Sequence, residues 1–340
     1  MSGRRTGTRA AYHRGVQMPQ LSYAVTRRIF AAGVLAQMGI VVTGGLVRLT
    51  GSGLGCPTWP DCYGSSLVPV KNQPQSFHRW IEFGNRMLTF VLVVVVVACI
   101  YAAWRQLPRR RPLVLLALGG LAGVFAQAVL GGLTVLTGLN PYLVAAHFLL
   151  SIGLIAVAMA LYERSGDPGD GPANAVVRVE AVWLVRALVA VGVVVITVGT
   201  LVTGSGPHSG DADHPARTGF DVTKIAWLHA DSVMLFIGLV LGTVVALRLS
   251  AAPDAANRRI LVVLAVTVAQ GAIGYLQFFL GVPWGLVALH VLGATVLWAS
   301  VLRVTYSIRT RGQGGPGAGQ LVASSAATTA AANLPAASGA

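Results

Sequence analysis

The chain has 340 residues, of which 54% are hydrophobic and only 11% charged, with a mean hydropathy of +0.69 and a formal charge of +14. A soluble domain of this length carries about twice that charged fraction, so the composition excludes one and points to a polytopic membrane protein. The positive charge would suit nucleic acid, but its arginines cluster in alternate connections between apolar runs, and that placement excludes such a partner.

Eight apolar runs are long enough to cross ~30 Å of hydrocarbon. They lie near residues 29–47, 83–104, 113–136, 142–162, 181–203, 225–247, 259–280 and 285–304. Runs 3 and 4 are split only by Gly138–Pro141, and runs 7 and 8 only by Gly281–Pro283. A basic tail ending in Arg27 and Arg28 leads straight into run 1 with no cleavable signal peptide evident, so this run is expected to stay as the first anchor. Arg105, Arg109, Arg110 and Arg111 separate runs 2 and 3, and Arg164 and Arg178 runs 4 and 5. Arg248, Arg258 and Arg259 separate runs 6 and 7, and Arg309 and Arg311 follow run 8. The alternate connections carry a mixed set: Asp61, Lys71, Arg79, Asp211, Asp213, Arg217 and Lys224. The positive-inside rule then places both termini in the cytoplasm of a multi-pass protein of the cell membrane. Beyond about Arg311 the chain is Gly, Ala, Ser and Thr without period and reads as disordered.

Runs 1–4 and 5–8 are two copies of one unit. AQAVLGGLTVL from Ala126 closes on LVAAH at His147, and AQGAIGYLQFF from Ala269 closes on LVALH at His290. The register between Gln127 and Gln270 holds without a gap to the histidines, 143 positions apart. Run 1 ends VVTGGLVRLTGSG and run 5 ends GTLVTGSGPHSG, sharing V-T-G before a glycine-rich exit. An even number of spans gives both halves one orientation, with a pseudo-twofold axis along the membrane normal. The expected fold is therefore all-α: eight transmembrane helices in two parallel four-helix bundles. The boundaries expected are a cytoplasmic tail (1–26), an N-terminal half (27–164), a cytoplasmic linker (165–180), a C-terminal half (181–305) and a disordered cytoplasmic tail (306–340).

A histidine in hydrocarbon is costly unless its nitrogens are satisfied. His229, in run 6, and His290 sit at one depth, roughly 10 Å inside the outer face. A lone buried histidine reads as a helix–helix hydrogen bond or a proton relay. Two facing imidazoles in one bundle instead hold a planar macrocycle by its iron, so His229 and His290 are read as bis-imidazole haem ligands. The N-terminal half keeps His147, but the position matching His229 is Asn85, and an amide is a poor iron ligand. Glu82 and Arg86 accompany it, where the second copy has Ala226 and Ala230. That pair reads either as an interfacial ion pair or as chemical equipment.

Cys56 and Cys62, six positions apart in a proline-bearing loop on the oxidising side, can close a disulfide, as a staple or as a redox element. Cys99 inside run 2 reads as packing. His208, Asp211, Asp213 and His214 form an exposed cluster read as solvated or metal-binding. His13 in the tail carries no signal.

These residues together resemble haem A synthase. The resemblance rests on GGLVRLTGSGLGCPTWPDC (Gly44–Cys62), IEFGNR (Ile81–Arg86), the stretch ending at His147, WLHADS around His229 and LVALH at His290, and it covers about residues 25–305. It implies a membrane oxidoreductase that converts the C8 methyl of haem O to a formyl group by successive hydroxylations, giving haem A for terminal oxidases. It implies haem b as cofactor on His229 and His290, haem O as substrate with its iron on His147, Glu82 as the catalytic acidic residue, and Cys56 and Cys62 as the outer-loop pair. Two departures stand out: the family's usual Glu-x-x-His-Arg has Asn85 at its fourth position here, and a second cysteine pair that some members have between runs 5 and 6 is missing. His78 is on the same face as Asn85 but about 10.5 Å further out. It is open as a ligand, a surface histidine or a propionate contact, and His78, Asn85 and Arg86 complete the candidate substrate site. Membrane lipid surrounds the protein, while a haem O synthase, an electron acceptor and a second copy of the chain stay open as partners. The alternative function is a non-catalytic di-haem electron carrier of cytochrome b type.

Overall fold

The computed structural model describes residues 21–106, 108–211 and 214–312; His13, Asp213 and the low-complexity tail beyond 312 lie outside them. Eight helices follow one another: α1 (Tyr23–Leu49), α2 (His78–Arg105), α3 (Arg111–Leu136), α4 (Pro141–Arg164), α5 (Val179–Ser205), α6 (Val222–Leu249), α7 (Asp254–Phe279) and α8 (Trp284–Ser307). All eight are long and apolar enough to span a membrane, yet only 22–28% of each apolar window is buried within the protein. Side chains such as Leu35, Phe90, Val94 and Leu249 project outward. Helices this apolar on their outer faces need lipid as their solvent.

Polar termini extend each helix past its apolar run. Ser22 caps α1 by accepting from the Val25 amide, Asp221 caps α6 through the Lys224 amide, and Asn140 caps α4 from just before Pro141. The α3–α4 and α7–α8 turns are built alike. Gly138 and Gly281 take positive φ, as do Leu139 and Val282 after them, and the amides of Leu139 and Val282 reach back to the carbonyls of Thr134 and Gln277. These turns fix how far along α4 and α8 the two histidines stand.

Within the first half the packed pairs are α1–α2, α2–α3, α3–α4 and α4–α1; within the second they are α5–α6, α6–α7, α7–α8 and α8–α5. Between halves α4–α8, α1–α8 and α4–α5 pack. This set of pairs is unchanged when every helix is exchanged for its counterpart four places on. Val34, Val41, Ile152, Ile155, Met159, Trp298 and Leu302 form the core between the halves, where the Trp298 indole N–H donates to the Ile152 carbonyl at 3.0 Å.

Two sequence expectations need correction. Residues 306–312 do not begin a disordered tail: α8 runs to Ser307, and Arg309–Arg311 form a short strand, β2, paired antiparallel with β1 (Ala173–Ala175) in the 165–180 linker. A ring of charge holds this strap, with Arg110 and Arg164 on Asp170 at 2.8 and 3.4 Å and Arg311 on Asp167 at 3.6 Å. The shared V-T-G also misaligns α1 with α5, since Gly44 faces Asn85 whereas the glycine facing His229 is Gly199 and not Gly204.

Candidate functional site

Each imidazole lies against a glycine of the preceding helix. A Cβ added to Gly131 would lie 3.2 Å from Cε1 of His147; on Gly199 it would lie 3.2 Å from His229 Cε1, and on Gly274 3.5 Å from His290 Cε1. Gly44 stands in the same relation to Asn85, 3.9 Å from Nδ2. Four glycine-floored slots thus hold three imidazoles and one amide. Each ring comes one to two turns after its helix begins, which sets the common depth.

Two glutamines fix the α4 and α8 histidines from behind. Gln127 donates to the His147 carbonyl at 3.0 Å and to Ser151 Oγ; Gln270 donates to the His290 carbonyl at 2.9 Å. Gln270 reaches its place because Gly293 has no side chain, for a Cβ there would fall 2.1 Å from Gln270 Oε1. The repeated Gln was visible in the sequence, but its role as a backbone clamp was not, because the bond crosses between helices.

The His229 and His290 ring centroids are 6.4 Å apart with planes 74° apart. Two nitrogen–metal bonds of about 2 Å plus two ring radii span roughly that distance. Nδ1 of His147 and of His290 is buried without a hydrogen-bond partner, and Nδ1 of His229 makes no well-formed bond, with only the Val195 backbone beside it. Among the described residues no group of three or more His, Cys, Asp and Glu converges as a metal cage. Two facing imidazoles without further donors fit a metal whose other positions are filled by a macrocycle.

The N-terminal half is equipped differently. Arg86 Nη2 and Nε lie 2.7 and 3.1 Å from Glu82 Oε1, so the expected ion pair is present, and both residues also grip the loop after α1. Glu82 Oε2 accepts the Cys56 amide at 2.6 Å. Arg86 donates to the carbonyls of Cys56 (2.8 Å), Thr58 (3.0 Å) and Asp61 (3.1 Å). Cys56 and Cys62 are joined in a disulfide, and both are fully buried. The side-chain oxygen of Asn85 is buried and unpartnered.

His78 opens α2, exposed, with Nδ1 2.8 Å from Ser52 Oγ, two turns before the slot that Asn85 occupies. His208 is a strut: its Nε2 pairs with the Val282 carbonyl at 2.9 Å while its own carbonyl accepts Arg48 Nε at 2.6 Å. His214 is exposed, and its amide donates to Asp211. Cys99 packs against Gly33, as expected of a buried thiol. Sequence reasoning missed Arg48, which also reaches the Thr203 carbonyl at 3.0 Å and ties α1 to α5. A single cation amid apolar residues at a helix end was the available signal.

The family described as cytochrome oxidase assembly protein (COX15-CtaA) matches residues 27–302. Three heme A synthases are similar to parts of the chain. That of Geobacillus thermodenitrificans is 37% identical over 131 residues, 37% of this chain and 39% of the relative. That of Lysinibacillus sphaericus is 37% identical over 134 residues, 39% and 42% of the two chains. That of Listeria welshimeri is 32% identical over 142 residues, 40% and 46%. The matched stretch thus spans less than half the length of each relative.

Proposed function

Since this chain belongs to the cytochrome oxidase assembly protein family, we propose that it is a haem A synthase, a membrane enzyme that oxidises the C8 methyl of haem O to a formyl group. The observation that carries this reading is the unequal equipment of two otherwise repeated bundles. One has two imidazoles 6.4 Å apart in apolar surroundings; the other has one imidazole, an amide, an ion pair and a disulfide loop. A carrier with two equivalent haems gives no reason for that difference.

On this reading the two halves are parallel bundles related by a pseudo-twofold axis, and the C-terminal half keeps a haem b on His229 and His290. Bound there, haem b supplies a one-electron redox centre. Gln270 and Gly199 hold the two ligands in place, and the apolar walls keep water out.

The N-terminal half receives haem O. His147, set by Gln127 and Gly131, holds the substrate iron, and Asn85 adds no strong ligand on the other side. A substrate held by one imidazole is released more readily than a bis-imidazole haem, as turnover requires. Oxidising a methyl group withdraws electrons and releases protons at the ring edge. Glu82 is the carboxylate proposed to answer that charge in a low-dielectric site. Its two oxygens are engaged by Arg86 and the Cys56 amide, which suits a fixed negative charge better than a free base. The arginine-rich end of the bundle faces the cytoplasm of a cell-membrane protein, the loop end faces outward, and a haem O synthase and an electron acceptor are its functional partners.

Incubating the purified protein with haem O and an electron acceptor, then extracting the pigment, tests the reading. A formyl-porphyrin is expected, and unchanged haem O would contradict it.

A further inference from the structure

The loop between α1 and α2 does more than carry a disulfide. Trp59 leaves it and lies against α3, where its Cδ2, Cε2 and Cγ would be 2.4, 2.7 and 2.8 Å from a Cβ added to Gly132. Gly131, the residue before, is the floor of the His147 slot. Indole and imidazole therefore rest on two consecutive glycines of one helix. In the second half the matching positions are Gly274 and Tyr275. Gly274 keeps its imidazole, but Tyr275 puts its own ring there, half exposed and stacked on Phe279 with centroids 6.4 Å apart. Only the N-terminal half leaves a vacancy for an aromatic from the loop.

The loop is fixed on both sides of Trp59. Arg86 holds the carbonyls of Cys56 and Thr58 before it and of Asp61 after it, Glu82 holds the Cys56 amide, and the Cys56–Cys62 bond closes the ends. Gln73 adds a further bond to the Gly55 carbonyl. Trp59 nevertheless keeps 38% of its surface exposed. A rigidly presented aromatic with a free surface, seated one residue along α3 from the floor of the His147 slot, is pre-organised to take a flat apolar partner at small entropic cost.

We propose that the Cys56–Cys62 loop is a fixed cover over the N-terminal site, that Trp59 is its substrate-contacting residue for a planar macrocycle, and that Arg86, together with Glu82 in addition to the charge role proposed for it, positions Trp59 through the loop. This rests on the reading that haem O enters that half. It changes what a loss of function at Glu82 means, since breaking the clamp would misplace Trp59.

Titrating the full-length protein with haem O, read by absorption alongside disulfide protection, tests the proposal. Trp59→Ala should weaken binding about tenfold, the scale of one lost aromatic partner, and Trp59→Phe should restore most of it. Gly132→Ala, which expels the indole by bulk alone, should match Trp59→Ala. Glu82→Gln should leave the disulfide more quickly reduced by a mild thiol and lower haem O affinity to the same level, with no further loss when combined with Trp59→Ala. The low-spin signal of the other half should be unchanged in each variant, which reports intact folding. Wild-type affinity in Trp59→Ala would overturn the contact. Unchanged affinity and protection in Glu82→Gln with turnover lost would overturn the positioning role and leave Glu82 only the direct charge role. If these binding effects hold while the wild type forms no formyl-porphyrin, the cover stands and the proposed reaction fails.

Discussion

Among single residues, Asn85 separates the two halves most sharply. It sits in a glycine-floored slot like those of the three histidines, with its side-chain oxygen buried and unpartnered. Asn85→His should therefore create a second bis-imidazole site: on loading with haem O the variant should gain low-spin absorption, and product release should slow. A high-spin spectrum indistinguishable from the wild type would show that this slot does not face the substrate iron. His147 and His290 were legible in the sequence because the duplication is gapless from Gln to His, and Asn85 and His229 because they precede those histidines by 62 and 61 residues. The glycines facing them were not, since such contacts join helices whose pairing no local pattern records. Glu82 was legible as an acidic residue without an acidic counterpart, but its partner, the Cys56 amide, lies 26 residues upstream across an irregular loop.

At the scale of elements, apolar runs predicted all eight helices, because a span must satisfy its backbone internally and so imposes length and composition together. The β1–β2 strap was illegible: two strands of three residues, ANA and RTR, are too short for a strand pattern to stand out. Its strength comes from charge. Arg110's hydrogen bond holds the Asp170 carboxyl below its usual range. That contribution is complete above about pH 4, the ordinary carboxyl value, and is lost as pH falls through the lower value in the fold. Asp167 runs the other way, its carboxyl pushed up by burial despite the arginines around it. Asp170→Asn should speed amide exchange in 173–175 and 309–311 roughly fivefold at neutral pH, the scale of a ~1 kcal/mol contact. The gap from the wild type should close as the buffer is acidified well below the ordinary carboxyl value and Asp170 protonates; a gap unchanged in acid would contradict this origin.

For the whole molecule, the even number of spans predicts parallel halves, but nothing in the sequence told which helices would meet between them. The structure brings α4 against α8, with α1 on α8 and α4 on α5. Arg48 ties the loop end, Trp298 the middle, and Glu163 the arginine end through Arg259 and Arg303. On the proposed reading, one assembly holds a retained haem and an exchangeable one on opposite sides of a shared core. The central claim is that division of labour, and the mirrored pair His147→Ala and His290→Ala tests it in one measurement: low-spin absorption of the purified protein, then pigment extraction after incubation with haem O. His147→Ala should keep the low-spin signal and form no formyl-porphyrin, while His290→Ala should lose the signal. Formation of formyl-porphyrin by His147→Ala, or an undiminished low-spin signal in His290→Ala, would contradict the account.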